Sequence, residues 1–208
     1  MSHDSMKAGV RLVGGTTILV AMLLSAGCSP YSTAAKIGIK VVGDVVNDED
    51  VSQKSQRLIG QSAAAADAAF GQKIRTLEEV STGRQMVTYP VKDDLLNMFR
   101  WAVEIQRGKI VAIAKLQSNP DGGKDIAKKL VLEQIVVGKS LQQIQSHEYF
   151  KNLVLTLRDC GNGDMVRAYD TSVLPDFMGA KYCVLEFSPS NMCKSVRIVG
   201  VPAATPGS

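Results

Sequence analysis

A twofold recurrence constrains this chain more than any other feature. Leu58-Ile-Gly-Gln-Ser62 matches Val136-Val-Gly-Lys-Ser140, and a helical run follows each, Ala63–Phe70 and Leu141–Tyr149. Next comes a hairpin, turning on Gly83 in the first half and on Gly161-Asn-Gly-Asp164 in the second. Tyr89 and Tyr169 stand in the second strands. Trp101-Ala-Val-Glu104 then matches Cys183-Val-Leu-Glu186, and Ile110–Ala114 matches Val196–Gly200. The offset lengthens slowly between matched positions, so the insertions fall in turns. A supersecondary unit repeated in the same order predicts a duplicated architecture. The expected fold class is α+β, with two tandem repeats, each of two helices packed on an antiparallel sheet of about four strands. The first repeat spans 50–118 and the second 124–201. Ser118-Asn-Pro-Asp-Gly-Gly123 is the linker between them, and 202–208 is a disordered tail.

Local chemistry supports the individual elements. Asn47-Asp48-Glu49-Asp50 suits the cap and first turn of a helix, where carboxylates meet free N–H groups. It lacks the spaced ligands and glycine of a calcium loop. Ala, the best helix former, dominates Ser62–Phe70, with Ser62 as N-cap and Gly71 as stop. From Ile74 the period changes to two. In Met98–Ile105, Phe99, Trp101, Val103 and Ile105 share one face, and Arg100, Ala102 and Glu104 the other. If Ile105 lies opposite Ile110, then Ile110, Ala112, Ala114 and Leu116 join the core face. Arg100, Ala102, Glu104, Val111, Ile113 and Lys115 are then left as an apolar centre with a charged rim, the composition of a protein-binding patch. The alternative is a sheet face covered by the second repeat.

The N-terminal stretch speaks to location. Lys7 and Arg11 precede the apolar run Leu12–Leu24, which ends in Ser25-Ala26-Gly27-Cys28. The run is shorter than the ~20 residues of a spanning helix. Charge, short apolar region and small residues are the parts of a secretory signal. With the cysteine, they resemble the lipobox of bacterial lipoproteins, although Ser25 stands where that family usually has Leu. The resemblance implies cleavage after a signal at 1–27 and diacylglyceryl and palmitate acylation of Cys28. The small, polar run Ser29–Ala35 reads as part of a tether at 28–49. Ser29, in place of an Asp, points to the periplasmic face of the outer membrane, with the inner membrane as the alternative. Translation from Met6 gives a more compact signal than from Met1.

A formal net charge of +4, with both signs interspersed, argues against a nucleic-acid partner. Export would put Cys160, Cys183 and Cys193 in an oxidising compartment, where at most one bridge closes among three. Cys183 has the phase of the core. With a four-residue turn at Ser188–Asn191, Cys193 points outward, so pairing those two needs a bulge or a different turn. The connectivity is open. None of the three has paired Cys-x-x-Cys spacing, so no metal is expected. His147 reads as a surface or capping histidine and lacks an identifiable nucleophile partner. Gly122-Gly123-Lys124 and Gly138-Lys-Ser140 lack the spacing of a phosphate loop. No catalytic residue and no cofactor is expected, and the chain reads as a non-enzyme.

The order of helices and strands resembles the units of β-lactamase-inhibitor proteins, in tandem, and the SmpA/OmlA-type small lipoproteins of outer-membrane assembly. That likeness covers roughly 50–116 and 128–200. It implies a non-catalytic module that binds another envelope protein. The competing expectations are a structural accessory of a larger envelope or secretion complex and an enzyme inhibitor.

Overall fold

The computed structural model describes residues 39, 43–46, 49–117, 126–171 and 180–200. The expectations for the signal, for Cys28, for the linker 118–123 and for the tail 202–208 lie outside the described residues.

Strand β1 (Asp44–Val46) is followed by helices α1 (Glu49–Leu58) and α2 (Ala63–Phe70). Strands β2 (Arg75–Glu79), β3 (Gln85–Pro90), β4 (Phe99–Gln106) and β5 (Lys109–Gln117) come next. Helices α3 (Ile126–Val136) and α4 (Leu141–Gln145) and a 3-10 turn (Glu148–Phe150) open the second half. It ends with β6 (Leu153–Asp159), β7 (Met165–Asp170), β8 (Ala180–Phe187) and β9 (Cys193–Gly200).

The expected fold class needs correction. There are not two four-stranded sheets with helices of their own. Among the described residues, all strands join one nine-stranded antiparallel sheet, in the order β1-β5-β4-β3-β2-β6-β7-β8-β9, curled into a half-barrel. The join is the pairing of β2 with β6, where Leu77, Glu78 and Glu79 face Asp159, Arg158 and Leu157. Two sheets with open edges on β2 and β6 would leave rows of unpaired N–H and C=O groups. Pairing the edges satisfies them.

The two faces of the sheet are filled differently. On one face lie the helices. Phe70 of α2 packs on Tyr89 and Trp101, with Val103, Ile105, Ile110 and Ile113 beside them. In the second half, Leu132, Val136, Ile144 and Phe150 cover Tyr169, Cys183, Leu185, Phe187 and Val196. On the opposite face, residues from both halves form one cluster: Leu77, Met86, Ala102, Ala112, Ala114 and Leu116 with Leu155, Leu157, Val166, Ala168, Val184 and Val199. Among the described residues, that face is covered by the curl of the sheet and by Ile39, which is in helical conformation ahead of β1. Ile39 is buried in the same cluster. Small alanines at 102, 112, 114 and 168 suit the tight interior of a curled sheet.

A bulge sets the register on both sides. Ile105 does pair with Ile110, but Glu104 pairs with Ala112, so Val111 is an extra residue. Ile110 is held from its other edge by the link between α1 and α2: Gly60 N–H donates to Ile110 O, and Ile110 N–H donates to Gln61 O. The bulge therefore puts Ile110 and Ile113 under the helices and turns Ala112, Ala114 and Leu116 inward. The same device recurs in the second half. Glu186 pairs with Ser195 and Phe187 with Cys193, leaving Lys194 extra. Gly138 N–H donates to Cys193 O, and Cys193 N–H donates to Lys139 O. Both links turn on a glycine with positive φ, 85° at Gly60 and 75° at Gly138, which L side chains rarely adopt.

Candidate functional site

The bulge dissolves the expected patch. Arg100, Ala102 and Glu104 lie on the inward face, whereas Ile113 and Lys115 lie on the helix face, paired with Val103 and Trp101. Ala102, Glu104 and Ile113 are buried, and Lys115 sits over the rings of Phe99 and Trp101 at 5.2 and 5.9 Å. No common surface presents these six residues. The inward face carries ion pairs instead. Arg84 donates to Glu79 Oε2 from Nε (2.9 Å) and Nη2 (2.7 Å), and to Glu104 Oε1 from Nη1 (2.9 Å). Burial works to raise the Glu79 carboxyl, but hydrogen bonds from Thr82, Arg84 and Ser81 outweigh it and hold the group below its usual range. Burial prevails at Glu104 and pushes that carboxyl up despite Arg84.

The three candidate cysteines are not brought together. All three cysteines are free; Cys160 is exposed and the other two buried. The turn is one residue longer than expected, Ser188–Met192, so Cys193 pairs with Phe187 and lies on the helix face, against the expectation that it points out. Cys193 faces Phe187 while Cys183 faces Ile198, so they stand four residues apart along the ladder. That is about 13 Å, beyond the ~7 Å Cα limit of a bridge. Burial pushes the Cys193 thiol up to about 11 and raises that of Cys183 as well.

His147 has the capping role. Its side chain accepts from Tyr149 N–H at the start of the 3-10 turn, and its ring packs against Tyr149 and Phe150. Among the described residues, no group of three or more His, Cys, Asp and Glu is placed to hold a metal ion.

What sequence reasoning missed is the seam between the halves. A cleft of about 490 Å³ opens there, lined by Lys73, Ile74, Arg75 and Thr76 from the start of β2 and by Asp159, Cys160, Gly161 and Asn162 from the turn after β6. Arg75 fixes its wall, with Nε on Asp159 and Nη2 on Glu186, both at 2.5 Å. Burial would raise the Asp159 carboxyl, but the Gly161 N–H (2.8 Å) and the Arg75 guanidinium hold it below the usual carboxylate range. Cys160 N–H donates to Thr76 O across the seam. Burial and the nearby carboxylates of Glu78 and Asp159 push the Cys160 thiol up. Such a thiol is a poor nucleophile at neutral pH. The cleft offers hydrogen-bonding groups and one exposed isoleucine, and both its cations are paired, Lys73 with Asp67 and Arg75 with Asp159 and Glu186. That arrangement suits recognition of a partner's surface. The sequence signal for it was slight: an Arg opening one hairpin, and an Asp-Cys-Gly turn in the other.

Comparison with known proteins adds little. No family model matches the chain, and no curated protein matches it. Among solved structures, a cysteine-rich secretory protein from Staphylococcus aureus subsp. aureus Mu50 is similar over 69% of this chain, at 13% identity and a TM-score of 0.24. This chain covers 45% of that structure's length, and a likeness at that level carries no argument about function.

Proposed function

We propose that this chain is a lipid-anchored envelope protein that binds another envelope protein without catalysis, using the seam cleft. The observation that carries the reading is the short apolar run closed by Ser25-Ala26-Gly27-Cys28 behind Lys7 and Arg11. Acylation of Cys28 would hold the folded part on the periplasmic face of the outer membrane. The seam cleft supports the binding half of the reading: its polar groups are fixed by the Arg75 ion pairs, and its thiol is held in the unreactive form. The test is site-specific photo-crosslinking from Asn162 in cells, with wild-type Cys28 and with Cys28→Ala. The expected result is a discrete adduct with a second envelope protein in the first. Cys28→Ala should leave uncut precursor without fatty-acid label and lose that adduct. Normal processing of Cys28→Ala would refute the anchor; no adduct from Asn162 in the processed protein would refute the binding surface.

A further inference from the structure

The loop between β3 and β4 carries the most exposed large apolar side chains among the described residues. Leu95 is 93% and Leu96 77% exposed, with Met98 at 44% beside them. The loop is nonetheless well built. Asp94 Oδ2 accepts the Phe99 N–H at 2.6 Å, and the N–H groups of Asp94, Leu95 and Asn97 donate to Val91, Asp93 and Asp94 carbonyls. Asp93 and Asn97 hold positive φ, 66° and 51°, as residues that tolerate that region. So the two leucines are presented outward by a loop whose turns are held by these four hydrogen bonds.

The place of the loop names its occupant. Asp44, where the N-terminal chain joins the sheet, pairs with Gln117, and Gln117 pairs with Phe99. The chain therefore enters at the same end of the sheet as the loop that leads into Phe99, two strands or about 10 Å from that residue. From Cys28, the residues Ser29–Ile39 reach at most ~40 Å before Ile39 is buried in the core. A tether of at most that length holds the end of the sheet at Asp44 within reach of the bilayer. Lys92 and Arg100 flank the loop, balanced by Asp93 and Asp94, so the attraction is apolar and not a matter of net charge.

We infer that Leu95 and Leu96 insert into the interface of the membrane that holds Cys28, giving the protein a second, non-covalent contact and a fixed orientation. This rests on the lipid anchor proposed above. The test uses the full-length protein carrying L96W, reconstituted in phosphatidylethanolamine/phosphatidylglycerol vesicles whose acyl chains are brominated. V80W, at the opposite end of β2, is the control; Val80 is 52% exposed. Trp101 is buried and contributes a constant background. The expected result is quenching and a blue shift for L96W alone, at a depth of about 5–10 Å below the headgroups. Intact mass reports acylation of Cys28 separately. An acylated protein whose L96W emission is no more quenched than that of V80W overturns the insertion and leaves the anchor standing. A protein without lipid on Cys28 overturns both. A crosslink from position 96 to a protein, without bromolipid quenching, assigns the loop to a protein contact and also overturns the insertion.

Discussion

Leu157→Ala tests whether the curled sheet is a single cooperative unit. Leu157 lies on the seam strand β6, opposite Glu79 of β2 and Val166 of β7, and is 1% exposed in the cluster that both halves share. Truncating such a leucine removes its transfer free energy and leaves a cavity, at a cost of about 2–5 kcal/mol. For a protein of this size that is a fall in Tm of about 2–4 °C per kcal/mol, so roughly 10 °C at the middle of the range. The assay exploits Trp101, the chain's one tryptophan, which sits in the first half under Phe70. Its fluorescence and far-UV circular dichroism should fall together, both shifted by the full amount, although the substitution is in the second half. A wild-type midpoint by Trp101 fluorescence, with a shifted transition by circular dichroism, would show two independent units and refute the shared core.

Two further outcomes follow from buried charge and thiols. Arg84→Met strands the Glu79 and Glu104 carboxylates and should cost about 3–5 kcal/mol at pH 7. Without Arg84 both carboxyls titrate higher, so the unfolded chain releases protons first and the deficit grows as pH rises through the carboxylate range; urea unfolding at pH 4.5 and pH 7 should show the smaller loss at the lower pH. Equal losses at both would mean the ion pairs contribute nothing. Of Cys160, Cys183 and Cys193, the folded protein should react with a thiol reagent at Cys160 alone, faster as pH rises, and at the other two only after denaturation. Labelling of Cys193 in the native state, read by peptide mass, would contradict its burial beneath the helices.

Most elements were legible in the sequence because each carries its own period and punctuation. Glu49 and Asp50 do open α1, Ser62 does stand at the N-cap of α2, and Ser140 caps α4 with a Ser140/Gln143 capping box. Two things could not be read. The first is which edges meet: nothing in the composition of β2 or β6 distinguishes a strand paired on both sides from one at an edge. The second is the bulge at Val111, which inverts every later residue of β5. A one-residue insertion in a ladder changes faces completely, because side chains alternate with period two. The spacing of Ile110 to Ile113, and of Cys193 to Val196, is the trace of it. Large side chains three apart cannot share a face of a regular strand, and here they do.

The bulges also decide where function is located. Had β5 run without one, Val111 and Ile113 would stand with Ala102 on a face that needs a partner. Turning Ala112 and Ala114 inward allows the sheet to curl until residues of both halves, with Ile39, form one buried cluster on that face, and its buried charges are taken up by the Arg84 pairs and, at the seam, the Arg75 pairs. One broad face is thus spent on the core and the other on the helices. Surface able to recognise anything is then concentrated at the strand ends and on the outer helix faces. The chain's N-terminal approach, the Leu95-Leu96 loop and the cleft at Arg75, Asp159 and Cys160 occupy one such end, reached through consecutive strands of the same sheet. A protein tethered there would meet both bilayer and partner with turns and loops, while its sheet does no more than hold them in register.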